Sequence, residues 1–212
     1  MTRLVIFDLD GTLIDSREDI ASSANAARAS LGLPPLPVDV VQSYVGEGAR
    51  KLMQRALVPE LENRLEEGLA AFFTHYGEHL VVRTQPYPGI EHMLGELKTT
   101  AVILTNKPGR FARPLCQELD LHGHFKVIWG DGDFAVRKPD PRAALELCSN
   151  FGVNPSEARF VGDSKTDAAT ARNAKIPFVG VTWGFGTVEQ MEAEGGTQFV
   201  HDSVELLRAL KD

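Results

Sequence analysis

Cysteine is nearly absent from this 212-residue chain, with Cys116 and Cys148 the only two. Their separation suits neither a metal site nor a redox pair, and both fall in helical-looking stretches, so reduced, structural thiols are expected. Positive charge is scarce as well. Lys and Arg number 22 against 29 Asp and Glu, for a formal charge of -7. That balance argues against nucleic acid or an anionic membrane as the main partner, and any anionic substrate needs local positive charge. Long apolar runs are missing, none approaching the roughly 20 residues of a membrane span. An apolar strand already begins at residue 4, which leaves no room for a signal peptide, and a soluble cytoplasmic protein is the expectation. Internal repeats and low-complexity tracts are lacking too. Apolar residues are plentiful, at 43%, enough for a packed core in one ordinary domain or one domain carrying an insertion.

The rhythm of the chain favours the second alternative. LVIF (4–7) reads as a buried strand broken by DGT. From Ser16, an N-cap candidate, the pattern turns helical up to Gly32. A Pro-rich linker follows, then helical stretches over 38–57, broken near Gly46, and from 60 to about 82. No convincing strand falls between Asp15 and Arg83. After QPYPG (85–89), helix and strand alternate, with strands at 101–105, 126–130, 158–162 and 178–183 and a last helix at 203–210. Short apolar strands alternating with helices predict an α/β fold, a three-layer Rossmann-like parallel sheet core with an inserted all-helical cap domain. The expected division is 1–15 with 84–212 as the catalytic core and 16–83 as the cap, placed as a lid over the carboxyl edge of the sheet, where ligands of such sheets bind.

Polar residues concentrate at that edge. FDLDGT puts Asp8 and Asp10 two apart at the end of the first strand, on one side of it. At about 5 Å and an effective dielectric of about 20, two carboxylates repel by on the order of 3 kcal/mol. Thr105 and Asn106 end the second strand, Asp163 ends the fourth with Asp167 one turn on, and Lys138 opens another helix in RKPDP. Hard oxygen ligands without His or Cys suit Mg²⁺ far better than Zn²⁺. Four carboxylates against one lysine leave three net negative charges. Mg²⁺ together with a proton on one aspartate brings the site to neutrality, and a protonated aspartate beside an ionised one is an acid beside a nucleophile.

DLDGT (8–12), ILTN (103–106), KPDP (138–141) and GDSKTD (162–167), in this order, resemble the four motifs of the haloacid dehalogenase superfamily of phosphotransferases. The resemblance implies that Asp8 is the nucleophile that takes the phosphoryl group, and that Asp10 protonates the leaving alkoxide and then activates water. It implies Mg²⁺ held by Asp8, Asp163 and the backbone carbonyl of Asp10, with Asp167 supporting the metal's waters. Thr105 and Asn106 would bind phosphoryl oxygens, and Lys138 would neutralise charge. Asp10 separates the chain from the dehalogenases, which need no leaving-group acid, and from phosphonatases, which replace that aspartate.

In the cap, VGEGARKLMQRAL (45–57) runs Gly46 and Gly48 into a helix start that carries Arg50, a place where free N–H groups accept an anion. It resembles the lid loop of phosphoglycolate phosphatases, as do RKPDP and VTWGFG (181–186), and points to 2-phosphoglycolate. The plain alternative is a turn between two lid helices. A phosphatase or phosphomutase for sugar phosphates shares every core motif, and a non-catalytic phospholigand-binding module remains the alternative from another class. The partner expected in each case is a small phosphorylated molecule, with monomer and homodimer both open. His75 and His79 have zinc-like spacing but lack a third ligand, and His122, His124 and the GFG of 184–186 read as turn or loop residues.

Overall fold

Four consecutive apolar residues, Leu4–Phe7, form a strand (β1) with every side chain buried. Ile14–Asp15 (β2) follows, then the helices Arg17–Ser30 (α1), Val38–Gln42 (α2), Ala49–Leu57 (α3) and Leu65–Glu78 (α4), and then Gln85–Pro86 (β3). Beyond it helix and strand alternate: Ile90–Glu96 (α5), Thr100–Pro108 (β4), Gly109–Glu118 (α6), Ile128–Asp131 (β5), Arg142–Asn150 (α7), Ala158–Gly162 (β6), Lys165–Ala174 (α8), Phe178–Val181 (β7), Val188–Ala193 (α9), Phe199–Val200 (β8) and Ser203–Lys211 (α10). This computed structural model describes residues 2–57 and 61–211. The helix start expected at Glu60 lies outside them.

Six strands form one parallel sheet in the order β5-β4-β1-β6-β7-β8. Alternation along β1 assigns its two faces. Val5 and Phe7 meet α5, α6 and α10 through Met93, Leu115 and Leu206. Leu4 and Ile6 meet α7 and α8 through Leu147 and Ala171. Helix, sheet and helix therefore make the three layers that the alternation predicts. β8 was not expected, because two residues are too few to show a period. β4 outruns its expected end at Thr105 and carries Asn106, Lys107 and Pro108 in extended form.

The helices between β2 and β3 bury their own apolar cluster, with Ile20, Ala24, Leu52, Met53, Phe72 and Tyr76, which Phe111 of α6 joins from below. Among the described residues no helix is long and apolar enough to cross a membrane. β2 and β3 pair antiparallel, Ile14 with Pro86 and Asp15 with Gln85, so the chain leaves for the helical layer and returns from it at adjacent positions.

Asp19 fastens the return. Its buried carboxylate accepts hydrogen bonds from the backbone N–H groups of Val82 (3.1 Å), Arg83 (3.0 Å) and Thr84 (2.8 Å) and from the Thr84 hydroxyl (2.7 Å). Burial alone would push this carboxyl up, but these donors outweigh it and hold it below the ordinary range. Asp19→Ala removes the shared acceptor of three N–H groups, the buried one of Thr84 among them, and is expected to destabilise the protein by about 2 kcal/mol. Urea unfolding checks this, and a midpoint unchanged from the parent would contradict it.

Candidate active site

β1 lies between β4 and β6, so whatever follows these three strands at their carboxyl ends is brought together. Asp8 follows β1 directly and its N–H donates to Val161 O of β6 at 2.9 Å. Asp163 follows β6, and Asp167 stands in the first turn of α8. A carboxylate oxygen from each of Asp8, Asp163 and Asp167 lies within 4.8 Å of the others, and all three residues are buried. Lys138, brought in by the segment after β5, sets its Nζ 2.8 Å from Asp8 Oδ1 and 2.6 Å from Asp167 Oδ1.

Three buried carboxylates around one ammonium are too negative to be at ease. Burial raises the Asp8 carboxyl to about 6, Lys138 pulling it down and Asp167 pushing it up. Burial, then Asp167 and Asp8, raise Asp163 to about 7. Lys138 is pushed up by its two carboxylates although burial works against its charge. Asp8 Oδ1, despite its proximity to Lys138, has no well-directed hydrogen bond. A buried oxygen short of a partner, within a set of hard oxygen donors, fits a divalent cation of the Mg²⁺ kind.

The surrounding chain is shaped to hold these carboxylates. Asp163 accepts from Thr12 Oγ1 at 3.0 Å and from the Phe185 N–H at 2.7 Å. A Cβ on Gly11, which has φ +86°, would come within 2.3 Å of Asp163 Oδ2, and one on Gly184 would come equally close to its Cβ. Hence both positions require glycine, and the GFG segment, read from sequence as a loop, is part of the seat of Asp163. Asp167 is held by a reciprocal cap, its Oδ2 accepting from the N–H and the hydroxyl of Ser164.

Asp10 faces another group. Its carboxylate accepts from Ser16 Oγ at 2.6 Å and from Lys107 Nζ at 3.0 and 3.2 Å. Ser16 therefore does not cap α1 with its side chain, as the sequence suggested, because a charged carboxylate is the stronger acceptor. Lys107 escaped the sequence reading, which ended the strand at Thr105. The signal was present, since two residues past Thr105 along an extended chain point the same way. Lys107 alters the charge count. Four carboxylates and two ammonium groups leave two negative charges, which a divalent cation cancels; a proton on Asp10 then leaves one positive charge to meet an anionic substrate.

Two cavities meet here, both lined by Asp8, Asp10, Val45 and Gly46. The smaller, about 60 Å³, runs under the helical layer between Leu52, Phe72, Tyr76 and Phe111, with Thr105 and Lys107 at its floor. The larger, about 290 Å³, opens toward Asp163, Ser164 and Lys165, with Glu47 and Arg55 on its far wall. Gly46 and Gly48 line the smaller cavity with φ of +114° and +88°. Arg50 is not brought to the site. It is exposed, pairs with Glu66 at 2.6 Å, and lines neither cavity. Asn106 is close, but its amide is committed to backbone. Oδ1 accepts from the Lys138 N–H at 3.0 Å, and Nδ2 donates to Lys138 O at 3.1 Å and Gly46 O at 3.0 Å. That amide therefore ties the loop at Gly46 to the lysine segment. His75 and His79 stack at 4.1 Å and bond to Ser23 and to backbone, a packing arrangement. Cys116 and Cys148 are buried free thiols.

The sequence model of the haloacid dehalogenase-like hydrolases matches residues 5–181. The chain is 36% identical to the phosphoglycolate phosphatase of Chromobacterium violaceum, over 97% of this chain and 96% of that one. It is 37% identical to the phosphoglycolate phosphatase of Neisseria gonorrhoeae, over 92% and 86%. A crystal structure described as a predicted phosphoglycolate phosphatase from Haemophilus somnus superposes with a TM-score of 0.93 at 29% identity, covering 98% of this chain and 97% of that one.

Proposed function

The chain belongs to the haloacid dehalogenase-like hydrolases, and on that footing we propose that it hydrolyses 2-phosphoglycolate to glycolate and phosphate with Mg²⁺ as its cation. Its activity is that of a phosphoric monoester hydrolase. In the proposed cycle Asp8 attacks phosphorus, the bond from phosphorus to the ester oxygen breaks, and Asp10 delivers a proton to the departing alkoxide. Asp10, now ionised, takes a proton from water as that water attacks the phosphoryl group on Asp8, which restores the carboxylate and releases phosphate. Ser16 and Lys107 hold the Asp10 side chain in place for both halves. Asp8, Asp163 and Asp167 would hold Mg²⁺, which supplies charge stabilisation to the phosphoryl oxygens when bound. Lys138 keeps Asp8 aimed, and the Thr105 hydroxyl is placed to bind a phosphoryl oxygen. We assign 16–83 as the cap that excludes water.

The observation that carries the reading is the meeting of Asp8, Asp163, Asp167 and Lys138 at the sheet edge where the two cavities join. A leaving group as small as glycolate suits the smaller of these cavities, and curated relatives similar over nearly the whole chain bear the name of this reaction. A panel of small phosphate esters ranked by kcat/KM, with and without Mg²⁺, tests it. Phosphoglycolate is expected to lead neutral sugar phosphates by roughly tenfold or more, as for a site that reads a polar group. Sugar phosphates at the head of the ranking would overturn the substrate, and silence with every ester in Mg²⁺ would favour a binding module.

A further inference from the structure

The proposed substrate ends in a carboxylate, and Arg50, the cation that the sequence offered for it, faces away, paired with Glu66. The smaller cavity contains another. Lys107 is the one Lys or Arg among the described residues that line it, and its remaining walls are largely apolar. The Lys107 ammonium donates to Asp10 and to the Tyr76 hydroxyl. An ammonium has no acceptor, so the hydroxyl oxygen must be the acceptor of that bond, and the proton of the hydroxyl is left over. No other hydrogen bond engages the Tyr76 hydroxyl among the described residues, although the side chain is 1% exposed. A buried donor without a partner is costly unless a ligand completes it. Its position is fixed, since the ring stacks on Phe72 at 5.7 Å and meets the edge of Phe111 at 5.4 Å.

We infer that Lys107 and Tyr76 together read the carboxylate of the substrate, the lysine by charge and the tyrosine by its spare O–H. The inference rests on the phosphoglycolate reading and names its specificity residues. A single methylene separates the ester oxygen from the carboxylate in that molecule. With the ester oxygen at Asp10, the carboxylate falls beside the two groups that flank Asp10 within the cavity. One of them, Lys107, belongs to the sheet edge, and the other, Tyr76, to α4 of the helical layer. The carboxylate thus bridges the two layers, and a neutral leaving group of the same size does not.

The test compares 2-phosphoglycolate with 2-hydroxyethyl phosphate, an ester of similar size whose leaving group is neutral, in the parent, Tyr76→Phe, Lys107→Met and Lys107→Arg. The quantity read is the ratio of the two kcat/KM values. Tyr76→Phe keeps the packing and is expected to lower that ratio about tenfold, the loss of one hydrogen bond to a charged group. Lys107→Met is expected to lower it roughly a hundredfold, and Lys107→Arg to recover part of the loss. A merely structural role would reduce both substrates equally, and an unchanged ratio in the two truncations would overturn the assignment while leaving the phosphoglycolate reading intact. A parent enzyme with no preference for the carboxylate would overturn both. If Lys107→Met fails to fold, Tyr76→Phe decides alone.

Discussion

Asp8→Asn is expected to lose turnover by on the order of 10⁶-fold, the scale of losing a catalytic nucleophile, while the fold persists. The amide has the size of the carboxylate but cannot form the bond to phosphorus, so single-turnover experiments should detect no phosphoryl group on the protein. The substitution also removes one of three crowded carboxylates around Lys138, and the melting temperature of the metal-free protein should therefore hold or rise. That combination separates a chemical defect from a folding defect. A variant with near-parental rates would refute covalent catalysis at Asp8. Asp10→Asn should instead slow both half-reactions, since the same carboxyl gives a proton in the first and takes one in the second.

Lys138→Met carries the largest expected cost in stability. Its ammonium, 2% exposed, is the shared cation of Asp8 and Asp167, at 2.8 and 2.6 Å. Removing it leaves two buried carboxylates unpaired beside a third, for a loss of about 3–5 kcal/mol. In a chain of this size that corresponds to a fall of about 10 °C in Tm. Mg²⁺ should recover part of the fall, because a cation between the carboxylates replaces the missing charge. Calorimetry with and without Mg²⁺ checks both statements. A Tm within a degree or two of the parent's would contradict the view that this ion pair balances the centre.

Much of the architecture could be read from periodicity. The five strands of four or more residues announce themselves, and the helices between them follow. Phe199–Val200, Ile14–Asp15 and Gln85–Pro86 did not, because two residues show no period and their pairing is decided by partners distant in sequence. The site divides in a similar way. Asp8, Asp163, Asp167 and Lys138 sit in dense local motifs, whereas Lys107 and Tyr76 become neighbours only when α4 lies over the end of β4. Tyr76, between His75 and His79 in the chain, touches Lys107, whereas the two histidines stack on each other. Arg50 shows the converse. Its place at the start of α3 was sound in one dimension, but the helix turns that side chain outward to Glu66.

The antiparallel rung that joins Ile14–Asp15 to Pro86–Gln85 sets the departure and re-entry of the chain side by side. Helices spliced between those two points would find their ends already in register, however long the splice, and the phosphorus-handling side chains would keep their geometry. Side chains that those helices hold over the site, Tyr76 among them, can thereby be exchanged like a cassette over the course of descent, while the carboxylates and Lys107 stay on the sheet.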